Sequence, residues 1–148
     1  MPWDLFKSEY KAGLQKTPDD MGNVIADAYD KQVKTGFSSM GGTIIAGNKS
    51  AMAGLLTASL KSMGAVPFPL TLDNVLKLYW LGASYTNLGT VVNPGITAAF
   101  ILPEGQKNKS VDDFLNQLTK SFDTHLKQIM AMVPAAPSPL PDVGYTVV

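Results

Sequence analysis

Apolar and polar positions alternate with helical spacing over most of this chain. Trp3, Phe6, Tyr10 and Leu14 recur at intervals of three and four with Lys7, Ser8, Glu9 and Lys11 between them, which predicts a short amphipathic helix. In "TPDDMGNVIADAYDKQVKTG", Thr17 is a good N-cap, Pro18 suits the first helical position, and Asp19 and Asp20 suit the positive end of the dipole. Met21, Val24, Ile25, Ala28, Gln32 and Val33 mark one face, and Gly36 supplies the stop. "NKSAMAGLLTASLKSMG" predicts a further helix with Met52, Leu55, Leu56, Leu60 and Met63 inward. Pro67 and Pro69 in "AVPFPL" predict a helix-free linker. "TLDNVLKLYWLGAS" then returns to helical spacing through Leu72, Val75, Leu76, Tyr79, Trp80 and Ala83.

The segment from Asn87 to Leu102 changes character. Val91-Val92, the turn signal Asn93-Pro94-Gly95 and "ITAAFIL" predict extended pieces around a turn. In "SVDDFLNQLTKSFDTHLKQIMAMV", Ser110 caps with Asp113 three residues on, a carboxylate form of the capping box. Val111, Phe114, Leu115, Leu118, Phe122, Leu126, Ile129 and Val133 hold one face, which predicts a helix running to Val133. Pro134, Pro137, Pro139 and Pro141 make the tail extended and polyproline-like, and Tyr145, Val147 and Val148 alternate like a strand around Thr146. The expected fold is mainly α: a compact domain of about four helices over 1–133 with a small hairpin element, followed by an extended arm over 134–148.

Composition narrows the function. Twelve basic and twelve acidic residues cancel, so long-range attraction to a polyanion is weak and nucleic-acid binding is not expected. Only 16% of residues are charged, against about 25% in ordinary soluble domains, which suits a protein that covers part of itself with partners. The absence of cysteine removes disulfides and thiolate metal sites. No signal peptide and no membrane span are legible, so the expectation is a soluble chain made in a cytoplasm.

One stretch imitates a phosphate-binding loop. "GGTIIAGNKSAM" has Gly42 and Gly47 at the right separation, but Asn48 intrudes before Lys49 and Ser50, and the loop follows the end of a helix. Asn48 or Ser50 as a helix cap, with the glycines making the loop, explains the stretch without a nucleotide. His125, the only histidine, lies at the edge of an apolar face and shares none with Asp123. The pairs Asp19-Asp20 and Asp112-Asp113 each open a helix, where dipole effects account for them. No metal-ligand spacing and no cofactor motif is present.

Four phrases together, "IADAYDKQVKTG", "YWLGAS", "FDTHLKQI" and the proline-spaced ending in "GYTVV", resemble small virion structural proteins of tailed bacteriophages and other large double-stranded DNA viruses. The resemblance implies a non-enzymatic, multi-copy capsid, neck or tail subunit, made in the host cytoplasm and held in the virion by identical subunits or other virion proteins. It carries over no catalytic or binding residue. The expected partner interface is the aromatic stripe Trp3, Phe6 and Tyr10 together with Pro137, Pro139, Tyr145, Val147 and Val148 of the arm. The same aromatics could instead anchor the chain's own core, and the arm could pack in cis. The alternative is a helical small-molecule binding module with an apolar pocket near Tyr79, Trp80 and Phe100.

Overall fold

The computed structural model describes residues 3–13, 18–61, 68–95, 111–135 and 137–147. Its helices are α1 (Asp4–Ala12), α2 (Pro18–Val33), α3 (Lys49–Lys61), α4 (Phe68–Trp80) and α5 (Val111–Leu126). Its strands are β1 (Phe37–Ser38), β2 (Ile44–Ala46), β3 (Ser84–Tyr85), β4 (Thr90–Asn93), β5 (Met130–Val133), β6 (Leu140–Val143) and β7 (Tyr145–Thr146). The fold is therefore α+β, which corrects the mainly α expectation. A five-stranded antiparallel sheet runs β2-β3-β4-β5-β6, and β1 pairs with β7 in a two-stranded one.

The differences have local causes. The helix expected to reach Val133 stops at Leu126, where Gln128 N–H turns back to His125 O at 3.0 Å. Met130–Val133 has no intrinsic objection to helix. As β5, however, it pairs on both sides, Ala131 facing Val91 on one strand and Asp142 on the other, and tertiary pairing outweighs propensity. Pro69 does not block α4; it lies in the first turn, where a missing N–H costs no helical bond. The same helix ends at Trp80, not in the "GAS" that follows, because Gly82 takes a left-handed φ of 73° and turns the chain into β3. Of the element expected between 87 and 102, the first extended piece is present as β4, which pairs with β3 and β5, and the stretch after Gly95 lies outside the described residues.

The core lies between the helices and the inner faces of the sheets. Trp3, Phe6, Tyr29, Tyr79, Trp80 and Phe122 are buried; Trp3 stacks on Tyr29, and the other pairs meet edge to face or tilted, Tyr29 and Phe122 at 4.9 Å, Trp3 and Phe122 at 5.0 Å. Their polar atoms are spent on each other's elements. Trp80 Nε1 donates to Tyr29 Oη at 2.7 Å, Tyr79 Oη to the Asp30 carboxylate at 2.7 Å, and Trp3 Nε1 to Asp123 at 2.8 Å. Burial pushes the Tyr29 and Tyr79 phenols well up, so both stay neutral, Tyr29 accepting from Trp80 and Tyr79 donating to Asp30.

The tail closes the sheet side. β6 lies against β5, Gly144 turns at φ 89°, and β7 passes to β1, pairing Phe37 with Thr146 and Ser38 with Tyr145. The Tyr145 phenol reaches inward, donating to Val33 O and accepting from Ile44 N–H. One side chain thus joins α2, β2 and β7.

Candidate functional site

Charge is segregated along this chain. Among the described residues only one of the acidic and basic side chains, Asp142, stands in a strand, and it is buried. The register sorts the rest of the sheet. Val91, Ala131 and Asp142 face the interior in one row, while Thr90, Val92, Met130, Met132, Pro141 and Val143 face outward. Val92, Val143 and Ile45 of β2 are each about half exposed. The outer surface of the sheet is therefore uncharged and largely apolar, with every ionisable head group of the described surface carried elsewhere, on helices and the turns that end them.

Asp142 explains how this side holds together. Its carboxylate accepts from Ser38 Oγ at 2.6 Å, Ser39 Oγ at 2.8 Å, Met40 N–H at 3.0 Å and Asn87 Nδ2 at 3.2 Å. Burial pushes its pKa up, but the four donors outweigh that and hold it below the usual carboxylate range. Ser38 Oγ also accepts from Gly42 N–H at 2.8 Å, so the Ser38–Asp142 pair is a buried buttress between loops. The carboxylate fixes two turns, 38–42 and 86–89, against β6.

Both edges of the five-stranded sheet are partly blocked against strand addition. Gly144 N–H donates to Ile129 O at 2.7 Å. That phase turns Asp142 and Leu140 toward β5, leaving Val143 and Pro141 on the free edge of β6, and proline offers no donor there. On β2 the Ile44 N–H is capped by Tyr145 at 3.2 Å and the pairing shifts register between Ile44 and Ala46.

The residues expected from sequence fall as follows. Trp3 and Phe6 are in the core and Tyr10 packs against it. Tyr145 and Val147 are buried in their own chain, Pro137 and Pro139 are exposed, and Val148 lies outside the described residues. The arm is extended as expected, and its strand partners are β5 and β1 of the same chain. Tyr79 and Trp80 are closed off from solvent, and Phe100 lies outside the described residues.

In the near-miss loop, Asn48 Oδ1 caps α3 by accepting from Ala51 N–H at 3.3 Å. Lys49 pairs with Asp27 at 3.1 Å, and this contact raises its pKa. Gly47 lies flat against the Tyr79 ring, where a Cβ would collide. Where the sequence reading had only a helix end and a loop, β1 precedes the stretch and β2 lies within it, between Gly42 and Gly47, as an edge strand. His125 is buried with Nε2 on Pro94 O at 2.7 Å and Nδ1 without a partner.

Sequence reasoning passed over Ile45, Leu88, Val92 and Val143. The signal that finds them is the distribution of charge, since no charged residue occurs from Leu78 to Pro103 or from Gln128 to Pro141. Among the described residues no group of His, Asp and Glu could hold a metal ion, and no helix is long and apolar enough to cross a membrane. No protein-family model matches the chain, and comparison with curated proteins and with solved structures returned no match either.

Proposed function

We propose that this chain is a non-enzymatic structural subunit that acts through contacts with other protein molecules, in the specific form of a multi-copy virion component made in a host cytoplasm. The observation that carries the reading is the uncharged outer surface of the sheet, with Ile45, Val92 and Val143 exposed on it. Desolvating such a surface costs no ionic hydration, and apolar side chains exposed together on one face suit an interaction site. Support also comes from the buried polar groups. Asp142, Tyr79, Trp80 and Tyr145 each spend their polar atoms inside the fold, in the way a scaffold does. The viral form of the reading rests on the resemblance of the four sequence phrases alone.

Native mass spectrometry and light scattering of the purified chain test the proposal. The expected result is a concentration-dependent series of protein-only species above the monomer. A monomer at every concentration that retains an extractable small ligand overturns it in favour of a binding module.

A further inference from the structure

The turn between β3 and β4 carries a residue that local structure does not explain. Leu88 N–H donates to Tyr85 O at 3.1 Å, Tyr85 N–H to Gly89 O at 2.8 Å, and Gly89 N–H to Asn87 Oδ1 at 3.0 Å. This three-residue hairpin loop needs a left-handed residue at its last position, ordinarily glycine or asparagine. Leu88 occupies it with φ 68° and is 75% exposed. A leucine there is strained, and its side chain gains little burial within its own chain in return. The loop is nevertheless held firmly, because Asn87 also donates to the buried Asp142.

At the other end of the same hairpin is a receptor of matching character. Leu55, Leu78, Leu81 and Pro94 line an open cleft of about 400 Å³, with Asn74 and Lys77 also lining it. Leu81 precedes β3 and Pro94 follows β4, so cleft and turn lie at opposite ends of one pair of strands. The chain from Leu88 to Pro94 runs the length of β4, up to about 20 Å at roughly 3.3 Å per residue. The knob therefore cannot fill the cleft of its own molecule. Neither the turn nor the hairpin strands carry a charge, so two copies meet there without ionic repulsion, and Lys77 is the one charged side chain lining the cleft.

We propose that the Leu88 turn of one copy docks into the Leu55–Leu78–Leu81–Pro94 cleft of the next, a head-to-tail contact between copies of this chain. Knob and receptor are different surfaces, so the contact is heterologous and propagates into a ring or an open filament. The inference rests on reading the chain as an assembly subunit and names the surface through which it assembles. It also accounts for the leucine in the left-handed position, since its apolar side chain is buried only in the neighbour.

Complementary variants of the full chain test it, with mass measured by light scattering and native mass spectrometry. Leu88→Gly removes the knob and relieves the backbone; Leu81→Asp spoils the cleft. Each alone is expected to lose the higher species, with the melting temperature of Leu88→Gly unchanged or higher. Mixed together they retain one intact contact, knob from Leu81→Asp and cleft from Leu88→Gly, and are expected to form a one-to-one pair that stops at two. Wild type that assembles while Leu88→Gly assembles equally well, or a mixture that forms no pair, overturns this contact and leaves the subunit reading standing. Wild type that stays monomeric to its solubility limit overturns both.

Discussion

Asn87 donates its side-chain amide to the Asp142 carboxylate at 3.2 Å, tying the β3–β4 turn to the tail strand across 55 residues of sequence. Through this bond a buried anion governs the shape of an exposed apolar turn. Asp142→Ala leaves the donors of Ser38, Ser39, Met40 and Asn87 facing a void, at an expected cost of about 3 kcal/mol for orphaned groups that had bonded a charge. Urea unfolding gives the cost. Amide exchange gives the location, since Leu88 and Gly89 are expected to exchange faster than Leu118 in the helix core.

The tail is part of the folded core. Tyr145 and Val147 are each 4% exposed, and β6 completes the sheet beside β5. Truncation after Pro139 is therefore expected to abolish the cooperative melting transition, followed by circular dichroism. Tyr145→Phe is the milder probe. It removes one hydroxyl and leaves the Ile44 amide and the Val33 carbonyl without that partner, for about 1 to 3 kcal/mol. A truncated chain that melts as wild type does would place the tail outside the fold.

His125 makes stability depend on mild acid. Burial lowers its pKa to about 4, against the opposing pulls of the Pro94 carbonyl and Asp73. The unfolded histidine takes its proton near 6.5. Between those values the unfolded chain binds more protons, so stability rises with pH in that window and is lost as pH falls through it. The swing attributable to His125 is about 3 kcal/mol and is complete near pH 4. Urea midpoints measured from pH 7 to pH 4 check it, and His125→Gln is expected to flatten the profile.

The glycine-rich loop should behave as packing, not as a phosphate site. Lys49 and Asp27 are about half exposed, so Lys49→Ala is expected to change stability by less than about 1 kcal/mol. Gly47→Ala drives a methyl group into the Tyr79 ring and is expected to cost about 1 to 3 kcal/mol. Calorimetry with ATP and magnesium is expected to register no binding. Micromolar affinity abolished by Lys49→Ala would contradict this.

What the sequence determined by itself was the local structure that repeats along a helix. The stripe of Trp3 and Phe6, the Pro18 start, the Asn48 cap and the Leu115–Leu118–Phe122 face lie where the spacing put them, because helical bonds join residues four apart and their signals are local. The strands were decided by tertiary structure. Those of two to four residues are too short for alternation to declare itself, and their partners are remote, Phe37 on Thr146 and Val91 on Ala131. "MAMV" reads as helix until strands on both sides claim it. Tyr145 and Val147 read as an arm for another molecule until a tyrosine hydroxyl finds Val33 and Ile44 in its own chain. The uncharged surface lay in the sequence as a distribution of charge, but only the pairing of the strands gathers those segments onto one side.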